Sequence, residues 1–168
     1  MKKQREQPRK PLSRSGMKRK GSAPPKRGRN HQGQAHDIIK QAEIDAQRRF
    51  QAAAKAQKVC ARCGQAGSFD PHHVVERKWL KANGFSVVEQ FDPDNALRVC
   101  DRFTENDCHG KHTRGVRRKD RLHLRNLRQE NLEFAFTAMG AAASNYLRRR
   151  YRGEDSRLDK LEQAHGLS

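Results

Sequence analysis

Two cysteine pairs and two histidine pairs are the residues of this chain whose types and spacing could do chemistry. Cys60 and Cys63, His72 and His73, Cys100 and Cys108, and His109 and His112 fall within 53 of the 168 residues. They include all four cysteines and half of the eight histidines. A gap of two residues lets both sulfurs of Cys60-Ala61-Arg62-Cys63 reach one tetrahedral ion, and Gly64 permits the tight turn that follows. The second pair is separated by seven residues, so Asp101 to Asp107 must loop out before Cys108 returns to the same ion. A structural Zn²⁺ on Cys60, Cys63, Cys100 and Cys108 is the reading. His112 in place of one thiol is the alternative, and four buried thiols is the plain one. The histidines suit a second task. Hydrolysing a phosphodiester needs a base near neutrality to activate water, a cation to stabilise charge, and a group that holds the base in place. A hard divalent ion such as Mg²⁺, held by few protein ligands, suits the second requirement.

These residues need elements to position them. Ile38, Ile39, Ala42, Ala46, Phe50, Ala53 and Ala54 recur at helical spacing and predict a structural helix over 36–58, with Asp37 at its start. Residues 59–70 read as the knuckle and a short strand. Pro71 and Pro93 argue against long helices nearby. The stretch 74–99 is longer than a simple hairpin loop, and its Val74, Val75, Trp79, Leu80, Phe85, Val87, Val88 and Phe91 are expected in the core. Trp79 reads as structural rather than as a base-stacking platform. Leu132, Ala135, Phe136, Met139, Ala143, Tyr146 and Leu147 mark a helical stripe within 119–151, in one helix or in two bent at Gly140, with Asn126 or Asn131 as caps. The expected division is a disordered basic arm over 1–34, a domain over 35–152 with its core at 59–113, and a polar, frayed tail over 153–168.

Charge divides the chain the same way. The net charge is +18, and residues 1–34 alone hold twelve Lys/Arg against one acid. Residues 59–112 hold seven bases against eight acids. A near-neutral centre between basic flanks predicts a polyanionic partner, because Lys and Arg contacts to phosphate release counterions. Lys18, Arg19 and Lys20 in the arm, and Arg148, Arg149 and Arg150 at the end of the helical stripe, are the candidate contacts. Arg98, Lys111 and Arg114 are further candidates for a phosphate clamp. No apolar run reaches membrane-spanning length, and the basic start is not followed by an apolar stretch. Clustered cysteines then suit metal binding in a reducing, cytoplasmic setting.

Taken in order, Cys60-x-x-Cys63, Asp70-Pro71-His72-His73, Asp94-Asn95, Cys100 and Cys108-His109 resemble the HNH endonucleases over about residues 59–113. The resemblance implies an α+β fold: a small ββα-metal core stapled by cysteine-bound zinc and flanked by helices. It implies that His72 is a ligand of the catalytic ion, His73 the general base, Asn95 the residue that orients the base and shapes its loop, and His109 the second ligand. His112 is the alternative to His109. Asp70 is either a partner of a ligand ring or a turn residue before Pro71. The wide second cysteine gap departs from the family's usual two-residue spacing. The short chain and basic arm are similar to phage-encoded members, which would act in the host cytoplasm. The implied activity is metal-dependent hydrolysis of DNA, with RNA kept open as substrate. A zinc-knuckle module that binds nucleic acid without cutting it fits the charge and the cysteines equally well.

Overall fold

The computed structural model describes residues 31–101, 103, 105–114 and 121–167. Two antiparallel strands, β1 (Phe69–His73) and β2 (Ala96–Cys100), form its sheet. Their register pairs Asp70 with Val99, His72 with Leu97 and His73 with Ala96. A two-stranded sheet is marginal alone and needs packing on its faces. One face is covered by α1 (His31–Ala56). The other meets α4 (Cys108–Arg114), and α5 (Gln129–Met139), α6 (Ala142–Arg150) and α7 (Ser156–Ala164) complete the same core. Among the described residues no helix is long and apolar enough to cross a membrane.

The connection between the strands carries α2 (Arg77–Ala82), α3 (Val87–Gln90) and a short 3₁₀ turn at Pro93–Asn95. Ser86 and Glu89 form a reciprocal capping box at the start of α3. Val74, Val75 and Leu80 are buried. Trp79 packs partly buried against the core, 6.3 Å from Phe85.

Strand alternation sends Phe69 and His73 to the α1 face, and Asp70 and His72 to the α4 face. On the α1 face Phe50, Ala54 and Ala96 form a small apolar cluster with Phe69 and Phe91. The expected stripe of α1 is only half used. Ala46, Phe50 and Ala54 are buried, whereas Ile38 and Ile39 are 71% and 60% exposed. A five-residue strand spans roughly 17 Å, which about eleven residues of helix already cover, so the first half of α1 runs past the sheet.

Two expectations about the flanks change, and the choice between one helix and two is decided. The last four residues of the arm expected over 1–34 belong to α1; Lys18, Arg19 and Lys20 lie outside the described residues. The stripe within 119–151 forms two helices, because Gly140 ends α5 at φ 54°, a conformation that L-residues rarely adopt. The tail expected to fray carries α7. Asp155 caps it by accepting from the Arg157 amide at 3.0 Å, and Leu158 and Leu161, three residues apart, are buried against the core.

Candidate metal centre

The knuckle closes around Cys60. Its amide donates to the Gln65 carbonyl, and the Gly64 amide donates to the Cys60 carbonyl, both at 2.8 Å. Gly64 takes φ 73°, as the sequence predicts for this turn. Cys100 ends β2, and Cys108 opens α4, where Asp107 Oδ1 accepts from the Gly110 amide at 3.0 Å. Cys100 and Cys108, with seven residues between them, thus come to the same cluster. All four sulfurs lie within 4.8 Å of one another, and those of Cys63 and Cys100 are 3.5 Å apart. Among the described residues this is the group of three or more metal-ligating side chains whose donor atoms come that close.

The donor chemistry fits zinc. Burial pushes the Cys60 thiol up, but backbone amides of Cys63, Cys100 and Arg62 facing its sulfur outweigh that and hold it below its ordinary value. Burial pushes Cys108 up to about 11, against a lowering contribution from Arg62, whose Nη1 lies 3.8 Å from its sulfur. Burial also raises Cys100, together with the neighbouring thiols. A bound Zn²⁺ would hold all four sulfurs, Cys100 and Cys108 included, as thiolates. A Cys₄ zinc would tie the knuckle, the end of β2 and the start of α4 together. It would thereby fix the helix that carries His109 and His112.

The histidines separate by face. His72 lies 5.2 Å from His109 and 4.9 Å from His112 between ring centroids. His73 is on the other side, stacked on Phe50 at 4.2 Å and edge-on to Phe91 at 5.4 Å. Its Nε2 is buried without a hydrogen-bond partner. Burial, and then the Arg77 charge, lower its pKa to about 4. The candidate ligand and the candidate base are thus neighbours in sequence but face apart.

Hydrogen-bond partners decide which imidazole nitrogens hold lone pairs. Asp70 Oδ2 accepts from His109 Nδ1 at 3.0 Å, so the proton of neutral His109 sits on Nδ1 and Nε2 is bare. Arg150 Nη2 is 3.4 Å from His72 Nε2. A guanidinium only donates, so His72 Nε2 also holds a lone pair. His112 is arranged oppositely. Its Nδ1 accepts from the Leu122 amide at 3.2 Å, which leaves the proton on a buried Nε2. Burial, and then the Arg150 charge, hold its pKa down to about 3, so the ring is neutral at physiological pH. It also stacks on Tyr151, 5.4 Å away. His109 therefore has a bare nitrogen to offer a cation, His72 can offer its Nε2 once Arg150 moves off it, and His112 serves as packing. The same bond takes Asp70 beyond a turn residue: Asp70 orients His109.

Asn95 is fully buried, and its side chain serves the loop rather than either histidine. Its Oδ1 accepts from the Val75 amide at 2.7 Å, and its Nδ2 donates to the Val75 carbonyl at 3.1 Å. It pins the chain two residues after His73. Asn95→Ala strands both buried groups of Val75 and is expected to cost about 2–3 kcal/mol, read from urea unfolding. Asn131 plays a similar part for α5. It accepts from the Arg128 amide at 3.1 Å and donates to the Ala96 carbonyl at 3.2 Å.

The arginine candidates sort themselves by partner. Arg98 is buried, donates to the carbonyls of Lys55 and Gly67, and lies over the Phe69 ring. It braces β2 and has nothing left for phosphate. Arg148 is tied to α7 through Asp159 at 2.9 Å and to Ser144 at 3.1 Å. Arg149 and Arg150 line a cleft of about 350 Å³ with Arg121, Glu76, His112, Thr113 and Tyr146. Lys111 is partly buried on α4, and the side chain of Arg114 lies outside the described residues. Arg121 and Glu76 belong to no motif. They are far apart in sequence, and only tertiary contact could have pointed to them.

Comparison of the chain with protein-family models, with curated proteins and with solved structures finds no match, so the candidate site stands on this geometry.

Proposed function

We propose that this protein is a metal-dependent endonuclease of the HNH type, acting on DNA. The observation that carries the reading is the pair of imidazoles. His109 is oriented by Asp70 so that its Nε2 is bare, and it stands beside His72 next to an arginine-lined cleft. His72 and His109 would hold a divalent ion such as Mg²⁺, which when bound supplies Lewis-acid stabilisation of charge on the phosphate. The cleft arginines bind phosphate oxygens. Asn95 holds the turn that follows β1. His73, neutral at physiological pH, takes the proton of the attacking water. Because His72 and His73 face apart, the reading requires the phosphate to lie across the end of β1, between the two rings.

A second reading is a zinc-knuckle protein that binds nucleic acid without cutting it. The stacking of His73 on Phe50, away from His72, favours it. One assay separates the two. Supercoiled DNA is incubated with Mg²⁺ or Mn²⁺, using wild type and His73→Ala. Cleavage that depends on added metal and falls at least about 100-fold in His73→Ala, with DNA binding retained, is the expected result. Tight binding with no cleavage in either metal rejects the nuclease reading.

A further inference from the structure

The cleft beside His72 is built from a part of the chain outside the motif region. Arg149 and Arg150 end α6, and Arg121 precedes the turn that leads to α5. Glu76, just after β1, is the one acid lining it among the described residues. Among the described residues, three guanidinium groups against one carboxylate make the cleft cationic. Arg150 is the central residue. Its Nη1 pairs with Glu76, its Nη2 reaches His72 Nε2, and its Nε is buried without a partner. It thus touches both the cleft's counter-charge and the candidate ligand of the ion.

Arg148, one residue before Arg149, is spent on Asp159, Glu162 and Ser144. The run of three arginines is therefore divided. Its first member fastens α7, and its last two face the cleft. Among the described residues the rings lining the cleft are His112, stacked on Tyr151, and Tyr146, whose hydroxyl accepts from the Glu76 amide at 3.0 Å. The cleft thus carries charge and fork-shaped donors without a free ring on which an unpaired base could stack, which suits a duplex backbone better than a single strand.

Building on the nuclease reading, we infer that Arg150, together with Arg121 and Arg149, binds a backbone phosphate of duplex DNA in this cleft, and that Glu76 is the counterion this phosphate displaces. A phosphate oxygen replaces the Glu76 carboxylate on the Arg150 fork. Glu76 sets how tightly the cleft takes DNA, because each phosphate must compete with it.

The test reads binding alone, with no divalent ion added, so it does not depend on cleavage. Fluorescence anisotropy with a 20-base-pair DNA duplex is followed across salt concentrations. Each lost phosphate contact lowers the slope of log K against log salt by about 0.9. Arg150→Ala and Arg121→Ala are each expected to lower the slope by about that much and to weaken binding about tenfold. Arg148→Ala leaves the slope unchanged. Glu76→Gln tightens binding. Inorganic phosphate at matched ionic strength is expected to displace the duplex no better than chloride; strong displacement would make the cleft a free-anion site and overturn the inference. Unchanged slopes in both Arg150→Ala and Arg121→Ala, with wild-type melting, also overturn it. A protein that cleaves DNA yet shows unchanged slopes keeps the nuclease reading and loses the cleft. One that shows the slope change and never cleaves keeps the cleft and loses the nuclease.

Discussion

Cys60→Ser and Cys100→Ser are each expected to lose one bound zinc and the cooperative melting of the domain. The reason is the economy of the fold around the knuckle. The sheet has two strands of five residues, too little to be stable alone. The four sulfurs, which lie within 4.8 Å of one another, join the knuckle, the end of β2 and the start of α4 at one point. Removing one ligand leaves three thiols crowded together without the fourth that a tetrahedral ion needs. Structural zinc contributes about 10–16 kcal/mol in small zinc-binding peptides, as much as the whole stability of a typical domain. Native mass spectrometry should give one zinc in the wild type and none in either variant. Thermal melting should show the sharp transition replaced by a broad one. Serine variants that melt within a few degrees of wild type would falsify the zinc staple.

His109→Ala is expected to lower the rate of metal-dependent DNA cleavage by about 1,000-fold or more, while leaving DNA binding and melting nearly unchanged. The residue is about two-thirds buried, with its Nδ1 committed to Asp70, so truncation removes a bare nitrogen rather than core packing. On the nuclease reading, losing this nitrogen would remove the ion's contribution to the transition state, worth several kcal/mol. Asp70→Asn removes only the carboxylate that sets the tautomer, and losses of about 10–100-fold in metal affinity are typical of such partners. His112→Ala should behave differently again. It opens a buried site beneath Tyr151 and leaves the Leu122 amide without its acceptor, so its main effect is on melting. Cleavage assays at several Mg²⁺ concentrations, read beside melting curves, separate the three. A cleavage loss in His112→Ala as large as that of His109→Ala, with unchanged melting, would reverse the assignment of the ligand.

The knuckle was legible because a two-residue cysteine gap has a local geometric meaning. The cluster that includes Cys100 and Cys108 follows from the same chemistry, although its spacing is unusual. Phe50 was legible as a buried helix position, but Ile38 and Ile39 on the same stripe were not legible as exposed. Periodicity reports a helix's apolar face and says nothing of how far its partner extends. The tail was misread for the converse reason. Leu158 and Leu161 are two apolar residues in a polar stretch, and only the surface they meet makes them core.

By itself, the sequence determined the chemistry at hand: four thiols able to bind one ion, an alternating strand that must turn His72 and His73 to opposite faces, and positive charge concentrated at both flanks. Each of these depends on residue type and short spacing, which the chain carries locally. The tertiary structure alone decided which imidazole nitrogens are bare. A histidine's free nitrogen is fixed by what its other nitrogen meets, and those partners, Asp70 for His109 and Leu122 for His112, arrive from other segments. It decided too that Arg148 fastens a helix while Arg150 reaches His72, because three adjacent arginines on a helix point in different directions and meet different neighbours.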